Sequence, residues 1–96
     1  MAGIIMVNKK ILDRLREAFK SYGRDVLGDA DITVEFFPTD YEGSVGVFLA
    51  SPRFQNMSYF QRQDSVWDYL LANPQIKDDI FVISRISMEP EAVEFI

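Results

Sequence analysis

The sequence predicts an α+β domain of two layers, a compact α-β-β-α-β chain with a three-stranded sheet and both helices on one sheet face. Three observations carry this. Two stretches, one ending near Tyr22 and one starting near Ser58, repeat apolar residues at helical spacing. Three short runs, at 32–37, 44–50 and 80–88, are rich in β-branched and aromatic residues and bounded by turn residues. The apolar content is 48%, with eight Phe, four Tyr and one Trp, which is ample for one core. A chain of 96 residues is long enough for one domain and too short for two, so residues 1–96 are expected to form a single domain.

The first helix is expected over Asn8 to Tyr22. Ile11, Leu12, Leu15, Ala18, Phe19 and Tyr22 fall on one face, and Lys9, Asp13, Arg16, Lys20 and Arg24 on the other. Asn8 can cap the start, and Gly23 is expected to end the helix. The basic face reads either as a contact for an acidic partner or as a solvated face with Asp13–Arg16 and Glu17–Lys20 pairs. Ile32 to Phe37 read as a strand ended by Pro38, Thr39 to Gly43 as a turn, and Ser44 to Ala50 as the second strand of an antiparallel hairpin. Ser58 and Gln61 have capping-box spacing for the second helix, on which Tyr59, Phe60, Val66, Trp67, Leu70 and Leu71 share one arc with Gln63 among them. Asn73-Pro74 ends that helix. Ile80 to Met88 read as the third strand, and Pro90 to Phe95 as a short closing helical turn.

Composition removes several function classes. There are no cysteines and no histidines. Disulfides, thiol nucleophiles, zinc fingers and a self-ligated iron–sulfur cluster are excluded, and the usual general base is missing. No cofactor or metal is expected, and the chain is not expected to be an enzyme. The net charge is −5, but residues 1–27 hold six basic groups (Lys9, Lys10, Arg14, Arg16, Lys20, Arg24) against three acidic ones (Asp13, Glu17, Asp25). An acidic body repels phosphate, so nucleic-acid binding is disfavoured, with the basic first helix as the one exception. The apolar run Gly3 to Val7 is too short for a membrane span and lacks the order of a signal peptide, so a cytoplasmic protein is expected.

Asp29/Asp31 and Asp78/Asp79 are carboxylate pairs without ligand spacing and read as solvated turns. Gln63 reads either a ligand or, as a satisfied amide, the loop from Ser51 to Met57 or the rim of the core. Gly43-Ser44-Val45-Gly46 matches the Gly-x-x-Gly of KH domains in form, but it opens a strand beside Asp40 and Glu42 and reads as hairpin geometry. One strand register puts Glu35, Phe37, Phe48, Phe81, Ile83 and Arg85 on an open outer sheet face, where Phe37, Phe48 and Phe81 would form an apolar patch. The other reading turns these phenylalanines into the core.

A family resemblance enters at Gly43. The run Gly43-Ser44-Val45-Gly46-Val47-Phe48-Leu49-Ala50-Ser51 is similar to the glycine-bearing second strand of BolA proteins, which ends in serine. Phe54-Gln55-Asn56-Met57 resembles the loop that follows, Phe60-Gln61-Arg62-Gln63-Asp64-Ser65-Val66-Trp67 the second helix, and Ile86-Ser87-Met88-Glu89-Pro90-Glu91 the last strand and turn. The resemblance implies a fold related to the second type of KH domain. It also implies partnership with monothiol glutaredoxins, iron–sulfur handling and, in some members, regulation of transcription. The family histidine that opens the third strand matches about Phe81, and that of the second helix matches Gln63. Phenylalanine cannot ligate iron, so the cluster-bridging role does not carry over. The expected function is a non-catalytic BolA-like interaction or regulatory module, with a glutaredoxin or a second copy as partner and contacts through Phe81, Phe48, Phe37, Arg85, Gln63, Arg62 and Phe54. The alternative is a KH-like nucleic-acid-binding regulator using the basic first helix.

Overall fold

Helix capping, strand pairing and three glycines set the frame of residues 7–91, which are those described by the computed structural model. Helix α1 covers Lys9–Tyr22, and the Asn8 side chain accepts a hydrogen bond from the Lys10 amide at 2.7 Å. Gly23 does not end the helix. It keeps helical angles and leads into a π-helical turn, Gly23–Leu27, that stops at Gly28 in the left-handed region with φ 73°. Gly28 satisfies the backbone conformation of the stop. Gly23 instead satisfies a spatial need: a Cβ there would lie 2.4 Å from Cγ2 of the fully buried Ile32.

Strands β1 (Thr33–Pro38), β2 (Val45–Ala50) and β3 (Ile83–Glu89) form one mixed sheet in the order β1-β2-β3. β1 is antiparallel to β2 as expected for the hairpin, with Glu35 opposite Phe48 and Phe37 opposite Gly46. Pro38 is the last residue of β1 and lies on an edge strand, where a missing N–H is tolerated. Gly43 turns the hairpin with φ 77°. β3 runs parallel to β2, so the connection between them is a crossover carrying helix α2, Tyr59–Leu71. The capping box predicted at Ser58 and Gln61 is formed in both directions.

The third strand starts later than its composition suggests. Ile80–Val82 form a 3-10 turn, and only Ile83–Glu89 pair with β2. The pairing slips between Val45–Ile83 and Gly46–Arg85, leaving Ser84 as an extra residue. This bulge turns Ile83 into the core beside Ile86 and Met88, whereas strict alternation would have left it on the outer face with Arg85. The core lies between the helices and the inner sheet face and contains Leu15, Phe19, Tyr22, Val47, Phe54 and Leu70, all fully buried. The Tyr22 hydroxyl and the Ser65 Oγ, 2.8 Å apart, join the two helices, and burial pushes the Tyr22 pKa up despite that hydrogen bond.

α2 buries a narrower arc than its apolar pattern suggests. Val66 and Leu70 are buried, but Tyr59, Phe60 and Leu71 are exposed. The predicted closing turn at Pro90 to Phe95 falls mostly outside the described residues, as does most of the apolar run at Gly3 to Val7.

Candidate interaction surface

Long polar side chains from the two helices reach across the edges of the sheet. On the β1 side, Arg16 Nη1 donates to the Val34 carbonyl at 2.8 Å and Lys20 Nζ to that of Ile32, just before the strand, at 2.7 Å. The Arg16 guanidinium also lies 5.0 Å from the Phe36 ring centroid. At the β3 edge, Gln63 Nε2 donates to the Ile86 carbonyl at 2.9 Å and Arg62 Nη1 to that of Met88 at 3.0 Å. Edge carbonyls that could template another strand are thereby occupied. The Asp13–Arg16 and Glu17–Lys20 pairs of the solvated-face reading are not formed: Arg16 and Lys20 reach the Val34 and Ile32 carbonyls instead.

Two other basic groups of α1 and its extension are also engaged. Arg24 lies 3.4 Å from Asp25 and donates to Ser21 at 3.1 Å. Arg14 clasps Asp79 through two hydrogen bonds of 2.7 and 3.0 Å. Asp79 is therefore not part of a solvated turn; its residue is buried. The Arg14 hydrogen bonds hold its carboxyl below the usual carboxylate range. The folded pKa is then lower than the unfolded value of about 3.9, so ionised Asp79 stabilises the fold above that pH, and this contribution is lost as pH falls through the folded pKa. Thermal unfolding followed from pH 7 to pH 2 is expected to show a steeper acid-side fall for the wild type than for Asp79→Asn.

Asp29 is likewise engaged. Its carboxylate accepts the hydroxyl proton of buried Ser51 at 2.6 Å and the amide of Asp31 at 2.9 Å. The Ser51 amide in turn donates to the Glu89 carbonyl at 3.1 Å. Three segments of chain are tied at this serine: the turn at Asp29, the end of β3, and its own loop, whose Arg53 amide donates to the Ser51 hydroxyl.

The sequence-predicted contact residues do not form one surface. Phe37, Phe48 and Arg85 share the outer sheet face, as the register required. That face is not open at its centre, because Phe48 is only 3% exposed and Gly46 and Ala50 are buried. The Phe37 ring covers Gly46, where a Cβ would lie 2.2 Å from it, and the Arg85 guanidinium stands 5.1 Å from the Phe37 centroid. Phe81 is not on the sheet; it projects from the 3-10 turn and is 84% exposed. Phe54 is core. Arg62 Nε donates to the Phe54 carbonyl at 3.1 Å, and its guanidinium lies 5.9 Å from the Phe54 ring centroid. Gln63 bonds β3 and not the loop from Ser51 to Met57, and its Oε1 accepts from Trp67 Nε1 at 3.1 Å.

Sequence reasoning missed Tyr59, Phe60 and Leu71, which it assigned to the buried arc. Tyr59 and Phe60 make an edge-on ring pair with centroids 5.7 Å apart, both exposed. The missed signal is the width of the arc: a helix lying on a sheet buries only part of so broad an apolar face.

Among the described residues, no buried side-chain polar atom lacks a partner, and no group of three acidic, histidine or cysteine residues is placed to hold a metal ion. No described helix is long and apolar enough to cross a membrane. No family model, curated protein or solved structure matches the chain.

Proposed function

We propose that this chain is a non-catalytic, BolA-like protein-interaction module of the cytoplasm that works by contact and supplies no iron–sulfur ligand. The observation that carries the reading is Phe81. The residue aligned with the family histidine is a phenylalanine, and it is 84% exposed on a turn held from both sides. Two residues before it, Asp79 is clasped by Arg14, and two residues after it, Ile83 is buried in the core. A large apolar side chain fixed in solvent gains by meeting a partner, since its burial on binding contributes about 1.5 to 3 kcal/mol. The element order also agrees with the fold that the BolA resemblance implies. A monothiol glutaredoxin is the partner suggested by that resemblance.

The nucleic-acid alternative receives less support. Arg14, Arg16, Lys20 and Arg24 all contact groups of their own chain, which leaves Lys9 and Lys10, among the described residues, as the cations of the first helix not engaged in this way.

Affinity capture from the native host tests the module. Phe81→Asp is expected to lose partners recovered by the wild type while its unfolding free energy stays within about 0.5 kcal/mol, as for a surface change. Unchanged recovery with Phe81→Asp would overturn the reading.

A further inference from the structure

α2 begins beyond the end of β2 at Ala50 and returns the chain to the start of β3 at Ile83, so it runs antiparallel to both strands. Its Gln63 touches Ile86. From Gln63 to Leu71 the helix advances about 12 Å. That is the length of about four strand residues, which brings Leu71 level with the start of β3. Phe81 stands at the same end.

Phe60, Asp64, Trp67 and Leu71 follow i, i+4, i+7, i+11 spacing and form one stripe along the flank of α2 that faces the β3 edge. Phe60 is 76% and Leu71 66% exposed, and Trp67 is half-buried. The orientation of the flank is set by Gln63, which is bonded both to Ile86 and to Trp67. A partner strand is not the natural occupant, because Gln63 and Arg62 already hold the Ile86 and Met88 carbonyls. An apolar stripe at helical spacing beside a closed edge suits another helix laid along it.

Charge selects the kind of helix. Asp64 lies in the stripe and Asp68 next to it, and both are exposed with no ion pair among the described residues. The whole chain carries −5. We propose that the α2–β3 seam docks an amphipathic, lysine- or arginine-rich helix of a protein partner, with apolar anchors on Phe60, Trp67 and Leu71 and cations on Asp64 and Asp68. This rests on the interaction-module reading and names the chemistry of the partner.

The test uses the full chain, whose only tryptophan is Trp67. The probe is a synthetic leucine–lysine peptide of about 18 residues, with leucines at i, i+3, i+4, i+7 spacing. A peptide with glutamate in place of each lysine is the control. The lysine peptide is expected to move Trp67 emission to the blue and to shift the backbone amide signals of Phe60, Asp64, Trp67 and Leu71. Asp64→Lys combined with Asp68→Lys is expected to weaken it at least about tenfold and to accept the glutamate peptide instead. Equal binding of both peptides by the wild type, amide shifts centred on Phe37 and Arg85, or a dimer of the chain that covers the stripe and excludes the peptide would each overturn the proposal. If Phe81→Asp loses host partners while the lysine peptide leaves Trp67 unmoved, the seam falls and the module stands. If the lysine peptide docks on the stripe while Phe81→Asp keeps every host partner, the seam stands and the role of Phe81 falls.

Discussion

Phe54→Ala is expected to lower the unfolding free energy by about 3 to 5 kcal/mol, the range for truncating a fully buried phenylalanine. Small domains are stable by only about 5 to 15 kcal/mol, so much of the native margin goes. Phe54 closes the 3-10 turn that follows β2 and is fully buried in the core. Its carbonyl accepts from Arg62 Nε, and Arg62 also holds the Met88 carbonyl. The cavity would thus open beneath the side chain that ties the loop, α2 and β3 together. Thermal unfolding by circular dichroism checks the result: at roughly 4 to 8 °C per kcal/mol, Tm should fall by roughly 12 °C or more. A fall of only a few degrees would show that the loop collapses to fill the space.

Gly23→Ala is expected to destabilise by about 2 kcal/mol through the addition of one methyl group. Local rules predict the opposite sign. Gly23 has helical angles, φ −58° and ψ −47°, and in an open helix alanine would be favoured there by about 1 kcal/mol. The tertiary environment reverses this. The new Cβ would stand 2.4 Å from Ile32 Cγ2 and 2.8 Å from the Asp29 carbonyl oxygen. Ile32 is fully buried and the second contact is backbone, so neither side can yield cheaply. Gly28→Ala is the control, since a Cβ there meets nothing within 4 Å and its penalty comes only from φ 73°. Urea unfolding of both variants separates crowding from backbone strain. A Gly23→Ala protein as stable as the wild type would mean that the π-helical turn can shift away from Ile32.

The contact surface was less legible than the fold. Phe81, Phe37 and Arg85 were marked from the sequence, and Phe37 and Arg85 do share the outer sheet face. Phe81 left the sheet because Ile80–Val82 coil into a 3-10 turn, and Ile83 left the outer face because the Ser84 bulge breaks the alternation. The bulge is one residue of register, and one residue exchanges the two faces of a strand. Phe60 and Leu71 were hidden by an apolar pattern that marks a helix face without saying how much of it the sheet covers.

Order of elements, the Asn8 cap, the Ser58–Gln61 capping box and the Gly43 turn follow from residues within four positions of one another, where the physics is local and readable. The absence of cysteine and histidine is as plain in the chain as in the fold. Only the folded structure shows that Gly23 makes room for Ile32, that Arg14 reaches Asp79, and that Arg16, Lys20, Arg62 and Gln63 occupy carbonyls along the sheet edges. Those partners are between 9 and 65 positions apart in the chain. A long polar side chain on a helix reads as solvated until the sheet brings a carbonyl within its reach, and nothing in its own neighbourhood announces which carbonyl that will be.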